Sequence, residues 1–238
     1  FEVFEDVTDD AGELPDPEST VITIDHHAPA DGVEAANTHN ILRDFAAKYG
    51  AAQYEVGDGI CHQVLVEEGF VEPGDLVIGA DSHTTTFGGL GAFGTGVGST
   101  DLGTALATGE LWFRVPETLR FEVEGELPDG VYAKDCILKF IGDVGFAGCT
   151  YMAAEYAGSA IESLPVHERL VLANMAIEMG GKAGLVQPDE RTIGYLEAQT
   201  GESYDLDPDL TSDADAEYHA VHKYEGENLA PQVSKPSN

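Results

Sequence analysis

Short apolar runs alternate along this chain with stretches of helical periodicity. Residues 19–25 contain Val-Ile-Thr-Ile and read as a strand. Residues 53–56 read as a second, shorter one, and 75–80, with Leu-Val-Ile-Gly-Ala, as a buried strand. In 118–125, Phe121 and Val123 alternate with Arg120, Glu122 and Glu124, which predicts a strand with one polar face. Val33–Tyr49 predicts an amphipathic helix that places Ile41, Leu42, Phe45 and Ala46 on one side. Further helices are predicted over 59–68, from Ser99-Thr100-Asp101 to Gly109, and over Ala133–Val144, 165–179 and 189–199. Residues 1–18 are acidic, contain two prolines and read as a loop or linker. Strand and helix in alternation predict an α/β fold. The expected division is an α/β subdomain over 1–110, a second over 111–200, and an acidic surface segment over 201–238.

Charge narrows the picture. The 238 residues include 44 acidic and 11 basic side chains, a formal net charge of −33. Nucleic acid and anionic membranes would be repelled, so neither is an expected partner. The chain keeps 42% hydrophobic residues, enough for a packed core, so its acidity reads as a haloadapted surface rather than as disorder. Cys61, Cys136 and Cys149 form no Cys-x-x-Cys, which fits a reduced, cytoplasmic setting. No apolar run approaches the roughly 18 residues of a membrane span, and no signal peptide is visible.

Candidate chemistry sits beside the predicted strands. Asp25-His26-His27 follows the first strand and Asp81-Ser82-His83 follows the 75–80 strand, while Cys61-His62-Gln63 opens a predicted helix. Side chains at the carboxyl ends of strands in α/β sheets face the ligand crevice. A carboxylate beside an imidazole orients it and raises its basicity, but Asp25-His26 also reads as a solvated loop pair. His62, among Ile60, Val64 and Leu65, reads equally as a core-edge histidine. Asn174 and Glu178, four apart on a predicted helix, share a face and also fit a plain polar stripe. The glycines of 88–98 can cradle an anion, but close backbone packing is the preferred reading. Asp25, His26, His62, Asp81 and His83 supply donors enough for a mononuclear metal site, so a metal hydrolase stays open, although no His-Glu-x-x-His spacing supports it. A non-catalytic remnant of an enzyme is the other alternative.

Six strings in order carry a resemblance: Asp25-His26, Gly57-Asp-Gly-Ile-Cys-His-Gln-Val64, Gly79-Ala-Asp-Ser-His-Thr-Thr-Thr86, Gly94-Thr-Gly-Val-Gly-Ser-Thr-Asp101, Val131-Tyr-Ala-Lys-Asp135 and Asn174-Met-Ala-Ile-Glu-Met-Gly180. Together the chain resembles the aconitase superfamily, in the branch of 3-isopropylmalate dehydratase and homoaconitase large subunits. The resemblance implies a hydro-lyase that interconverts 2-isopropylmalate and 3-isopropylmalate through a dehydrated intermediate in leucine biosynthesis, with homoaconitate or citrate chemistry as the near alternative. It implies a three-layer α/β/α fold with a mostly parallel sheet, a [4Fe-4S] cluster held by three cysteines, acting as a Lewis acid, and a small swivelling-domain subunit as partner. It casts Asp25 and His26 as the dyad that assists departure of the hydroxyl, and His62 as an active-site histidine paired with Glu178. Asp81, Ser82 and His83 become substrate contacts, and Asn174 a residue near the cluster. The family's cluster cysteines lie in a Gly-Ser-Cys-Thr-Asn string and a Cys-x-x-Cys, neither of which occurs here, and Cys61, Cys136 and Cys149 match no ligand position. The resemblance therefore implies an interior portion of a large subunit, with no metal ligands and no cluster or turnover of its own.

Overall fold

The computed structural model describes residues 1–8 and 12–235. They form two compact units. One comprises Phe1–Phe70 with Val97–Phe113, and the other Val71–Gly96 with the chain from Arg114 onward. Residues 71–96 thus pack with the second unit, an excursion that the expected sequential boundary near 110 does not contain. Every strand pairing is parallel, and helices link the strands.

In the first unit, β1 (Val21–Thr23) pairs with β2 (Ala52–Tyr54), with Ile22 opposite Gln53. Helices α1 (Glu2–Thr8), α2 (Val33–Tyr49), α3 (Cys61–Glu67) and α4 (Ser99–Thr108) complete it. Helix α1 falls in the stretch read as a loop. Phe4 is fully buried there, edge-on to Phe45 and Tyr49, and this aromatic anchor makes a short acidic helix worthwhile. The core is Phe4, Leu14, Ile22, Phe45 and Ala46. Ile41, expected on the apolar face of α2, is exposed, and His39 is buried instead.

In the second unit, β3 (Leu76–Gly79) pairs with β4 (Phe93–Gly96). A four-stranded sheet runs in the order β7 (Ala183–Val186), β6 (Ala153–Ala157), β5 (Thr118–Glu124), β8 (Ala220–Glu225). Phe121 of β5 stacks on Phe140 of α5 (Ala133–Val144) at 4.8 Å, beside Tyr156. The opposite face of β5 is charged: Arg120 pairs with Glu155, and Lys223 reaches Glu122 at 2.9 Å. This is the alternation read in the sequence. Strands β4, β6, β7 and β8 were not foreseen. Glycine and alanine dominate the first three, and such residues favour strands only when neighbouring strands and helices supply the packing. Strand β8 lies in the acidic segment; its inward positions Ala220, His222 and Tyr224 are only partly buried, so its apolar signal is weak.

Helices α6 (Ser159–Ser163), α7 (Val166–Asn174) and α8 (Glu190–Thr200) complete the second unit. The helix expected over 165–179 changes pitch. Its α-helical part ends at Asn174, and Met175–Met179 winds on as a 3-10 turn. The equal-face spacing expected of Asn174 and Glu178 therefore does not apply, because the 3-10 turn advances fewer residues per revolution. Arg169 on α7 is fully buried and donates to the Leu164 and Glu162 carbonyls and to Asp189, which also caps α8. Asp135 accepts from the N–H groups of Tyr132 and Gln232, so the Val131–Asp135 string caps α5 and ties the late chain to it. Among the described residues no helix is long and apolar enough to cross a membrane.

Candidate active-site clusters

Each unit gathers one cluster of the expected residues. In the first, β1 leads through buried Ile24, whose N–H donates to the Tyr54 carbonyl at 3.0 Å, directly into Asp25. The Asp25 side chain is only 6% exposed. Its Oδ2 accepts from the Cys61 N–H at 2.6 Å and its Oδ1 lies 2.8 Å from His26 Nδ1. The first N–H groups of a helix have no acceptor within it, and Ile60, which precedes α3, has no polar side chain to cap it, so the strand-end carboxylate takes the Cys61 N–H. Burial pushes the Asp25 carboxyl up, but the Cys61 N–H, the His26 ring and the Cys61 thiol outweigh it and hold the carboxyl below its ordinary value.

A carboxylate at Nδ1 favours the tautomer with its hydrogen there, which leaves the Nε2 lone pair as the basic position of His26. The His26 side chain is 70% exposed. Cys61 Sγ lies 3.6 Å from His62 Nδ1, and both residues are half-buried. His27, next in line, adopts a left-handed φ of 49°, which costs a residue other than glycine about 1–2 kcal/mol.

The second unit holds Asp81, Ser82, His83, Asn174 and Glu178. Asp81 follows β3 and caps the 3-10 helix Ser82–Leu90 by accepting from the His83 N–H at 2.7 Å. Ser82 Oγ is 3.3 Å from His83 Nδ1, and Nε2 of the same ring is 3.4 Å from Glu178 Oε1. Three buried threonines secure this turn: Thr84 donates to the Asp81 carbonyl, Thr85 to the Asn174 carbonyl and Thr86 to the His83 carbonyl. The Asn174 side-chain amide in turn donates to Thr86 Oγ1 at 2.8 Å.

The glycines that follow serve close packing. A Cβ at Gly88 would overlap the Gly184 carbonyl oxygen of β7, and one at Gly89 would lie 2.7 Å from the Leu170 backbone of α7. The sequence places Thr86 in the polar string that runs from Asp81 without marking it as a brace, and gives His39 no role; both are buried polar residues that brace the clusters. A polar side chain inside an apolar helical period was the one available signal, at His39.

The expected partners His62 and Glu178 belong to different units; within its own unit Glu178 meets His83. No group of three or more His, Cys, Asp or Glu side chains forms a metal cage among the described residues. Nor do the cysteines fit an iron–sulfur cluster. Such a cluster takes thiolates, whereas Cys136 and Cys149 are buried in the apolar core, where burial pushes both thiols up to about 12. Cys61 lies in the other unit, against Asp25.

Parallel strands lead, in each unit, into a carboxylate–imidazole cluster at a strand's carboxyl end, and this defines an α/β protein with polar clusters where such sheets present side chains to ligands. The chain belongs to the aconitase family (aconitate hydratase), whose family pattern matches residues 2–238. It is 55% identical over 223 residues to a probable 3-isopropylmalate dehydratase large subunit of Methanosarcina mazei, covering 94% of this chain and 53% of that protein. It is 46% identical over 222 residues to the 3-isopropylmalate dehydratase large subunit of Aquifex aeolicus, covering 93% and 51%. To a probable methanogen homoaconitase large subunit of Methanothermobacter thermautotrophicus it is 45% identical over 224 residues, covering 94% and 52%. The chain thus spans about half the length of the curated relatives it matches.

Proposed function

We propose that this chain is part of a hydro-lyase large subunit that interconverts 2-isopropylmalate and 3-isopropylmalate in leucine biosynthesis, in the cytoplasm and with a small subunit as partner. The observation that carries the reading is the Asp25–His26 pair: a carboxylate almost wholly removed from solvent, fixed by the Cys61 N–H, orienting an exposed imidazole. The higher identity to the dehydratase large subunits than to the homoaconitase supports the choice of substrate.

In the dehydration direction, a base supplied by another part of the assembled enzyme takes the proton from the neighbouring carbon, and that C–H electron pair becomes the double bond. The C–O bond breaks as protonated His26 gives its proton to the departing hydroxyl, which leaves as water; Asp25 stabilises the ring's charge. In the hydration direction the same nitrogen takes the proton from water. Asp81, Ser82 and His83 hold the substrate's polar groups, with Glu178 bracing His83. His62 assists the dyad through its place beside Cys61, and the place of Asn174 near a cluster belongs to the same proposal. A [4Fe-4S] cluster, if the complete protein follows its family, is held by cysteines other than the three here.

The test is an assay of the full-length large subunit with its small subunit on 2-isopropylmalate, homocitrate and citrate. Turnover of 2-isopropylmalate first, lost in Asp25→Asn, supports the reading. A preference for homocitrate or citrate overturns the substrate, and an undiminished Asp25→Asn overturns the dyad.

A further inference from the structure

His39 sits on α2 with 5% of its surface exposed, within a helix whose buried positions are otherwise apolar. A buried imidazole needs a polar partner. Its Nε2 lies 3.0 Å from the main-chain oxygen of His26, thirteen residues earlier. A carbonyl oxygen only accepts, so the hydrogen must be on Nε2 of His39.

The carbonyl it binds belongs to the peptide that joins His26 to His27. Rotation of that same peptide plane about the His27 N–Cα bond is the left-handed φ of 49°. A residue other than glycine holds such a conformation only where its surroundings over-determine it. The turn is pinned before the dyad by Ile24 N–H on the Tyr54 carbonyl, at the dyad by Cys61 N–H on Asp25, and after it by His39 on the His26 carbonyl. Because the His26 ring is 70% exposed, its aim is governed strongly by the backbone that carries it.

We propose that His39 is a positioning residue for the Asp25–His26 pair: its Nε2–H fixes the 26–27 peptide and thereby keeps the His26 ring with Nδ1 against Asp25. The catalytic meaning of this rests on the acid–base reading of that pair; the positioning itself does not.

The experiment is long-range nitrogen–proton NMR of the histidine rings in the full chain in molar KCl, at about pH 8, above the ordinary histidine range. Wild type and His39→Gln, which keeps an N–H donor, should show His26 held as the Nδ1–H tautomer. His39→Phe, which keeps the ring shape without the donor, should show mixed tautomers. An unchanged His26 in folded His39→Phe overturns the proposal. Should that variant not fold, the wild type still decides, since finding His39 itself with a bare Nε2 overturns it and an Nε2–H coupled to the His26 carbonyl carbon supports it.

In the assembled enzyme, kcat should fall about 10- to 100-fold in His39→Phe with KM little changed, as for a misplaced catalytic group, and recover in His39→Gln. A tautomer change with undiminished kcat supports the positioning and overturns the catalytic role of the dyad instead.

Discussion

The side-chain amide of Asn174, the last residue of α7, donates at 2.8 Å to the hydroxyl of Thr86, which itself donates at 2.6 Å to the carbonyl of His83. One threonine thus joins the end of a helix to the backbone of a candidate substrate-binding histidine. Removing the Asn174 amide or the Thr86 hydroxyl leaves a partly or fully buried polar group short of a partner. Asn174→Ala and Thr86→Val should each cost about 1–3 kcal/mol in urea denaturation. The double variant should show a coupling of about 0.5 kcal/mol or more. Strict additivity would mean that the two act independently.

His83→Ala or Asp81→Asn in the assembled enzyme should reduce turnover about 100-fold or more, as loss of a positioned acid–base or binding group does. Steady-state kinetics decide this. Near-normal turnover in both variants would remove the cluster of the second unit from the active site.

Gly88→Ala should be severely destabilising, by about 3 kcal/mol or more, because its methyl group would occupy the position of the Gly184 carbonyl and neither is a flexible side-chain end. Thermal melting checks this. Gly142→Ala, where nothing lies within 4 Å of the added carbon, is the control and should melt close to wild type.

The depressed Asp25 carboxyl sets a pH dependence. A carboxyl held lower in the folded than in the unfolded chain stabilises the fold above its unfolded value, and that contribution is lost as pH falls through the folded value. Asp25→Asn lacks it at every pH. The gap in unfolding free energy between wild type and variant should therefore be constant near neutrality and shrink below about pH 4. A gap that grows on acidification would contradict the hydrogen-bond account of Asp25.

With a net charge of −33, melting temperature should climb steeply from dilute buffer to molar KCl, as salt screens repulsion among the carboxylates. Differential scanning calorimetry over that range measures it. A flat profile would dismiss the haloadapted reading of the surface.

The sequence by itself determined the α/β class, the long helix Val33–Tyr49, the strand through Phe121 and Val123, and the two polar clusters at strand ends. Each of these is a local pattern: hydrophobic periods of 3.6 or 2, and polar residues that stop an apolar run at once. Tertiary structure decided the rest. Strands such as Ala153–Ala157 and Ala183–Val186 exist because neighbours pair with them, since alanine and glycine carry little strand preference of their own. The break of α7 at Asn174 comes with its bonds to Thr85 and Thr86, residues 89 and 88 positions away. His39 and Arg169 are polar letters on helix faces that the hydrophobic period turns inward. Both are buried because acceptors from distant or neighbouring segments, the His26 carbonyl and the Asp189 carboxylate, meet them inside. A buried polar group is stable only with its partner, and a one-dimensional pattern does not say where that partner will be.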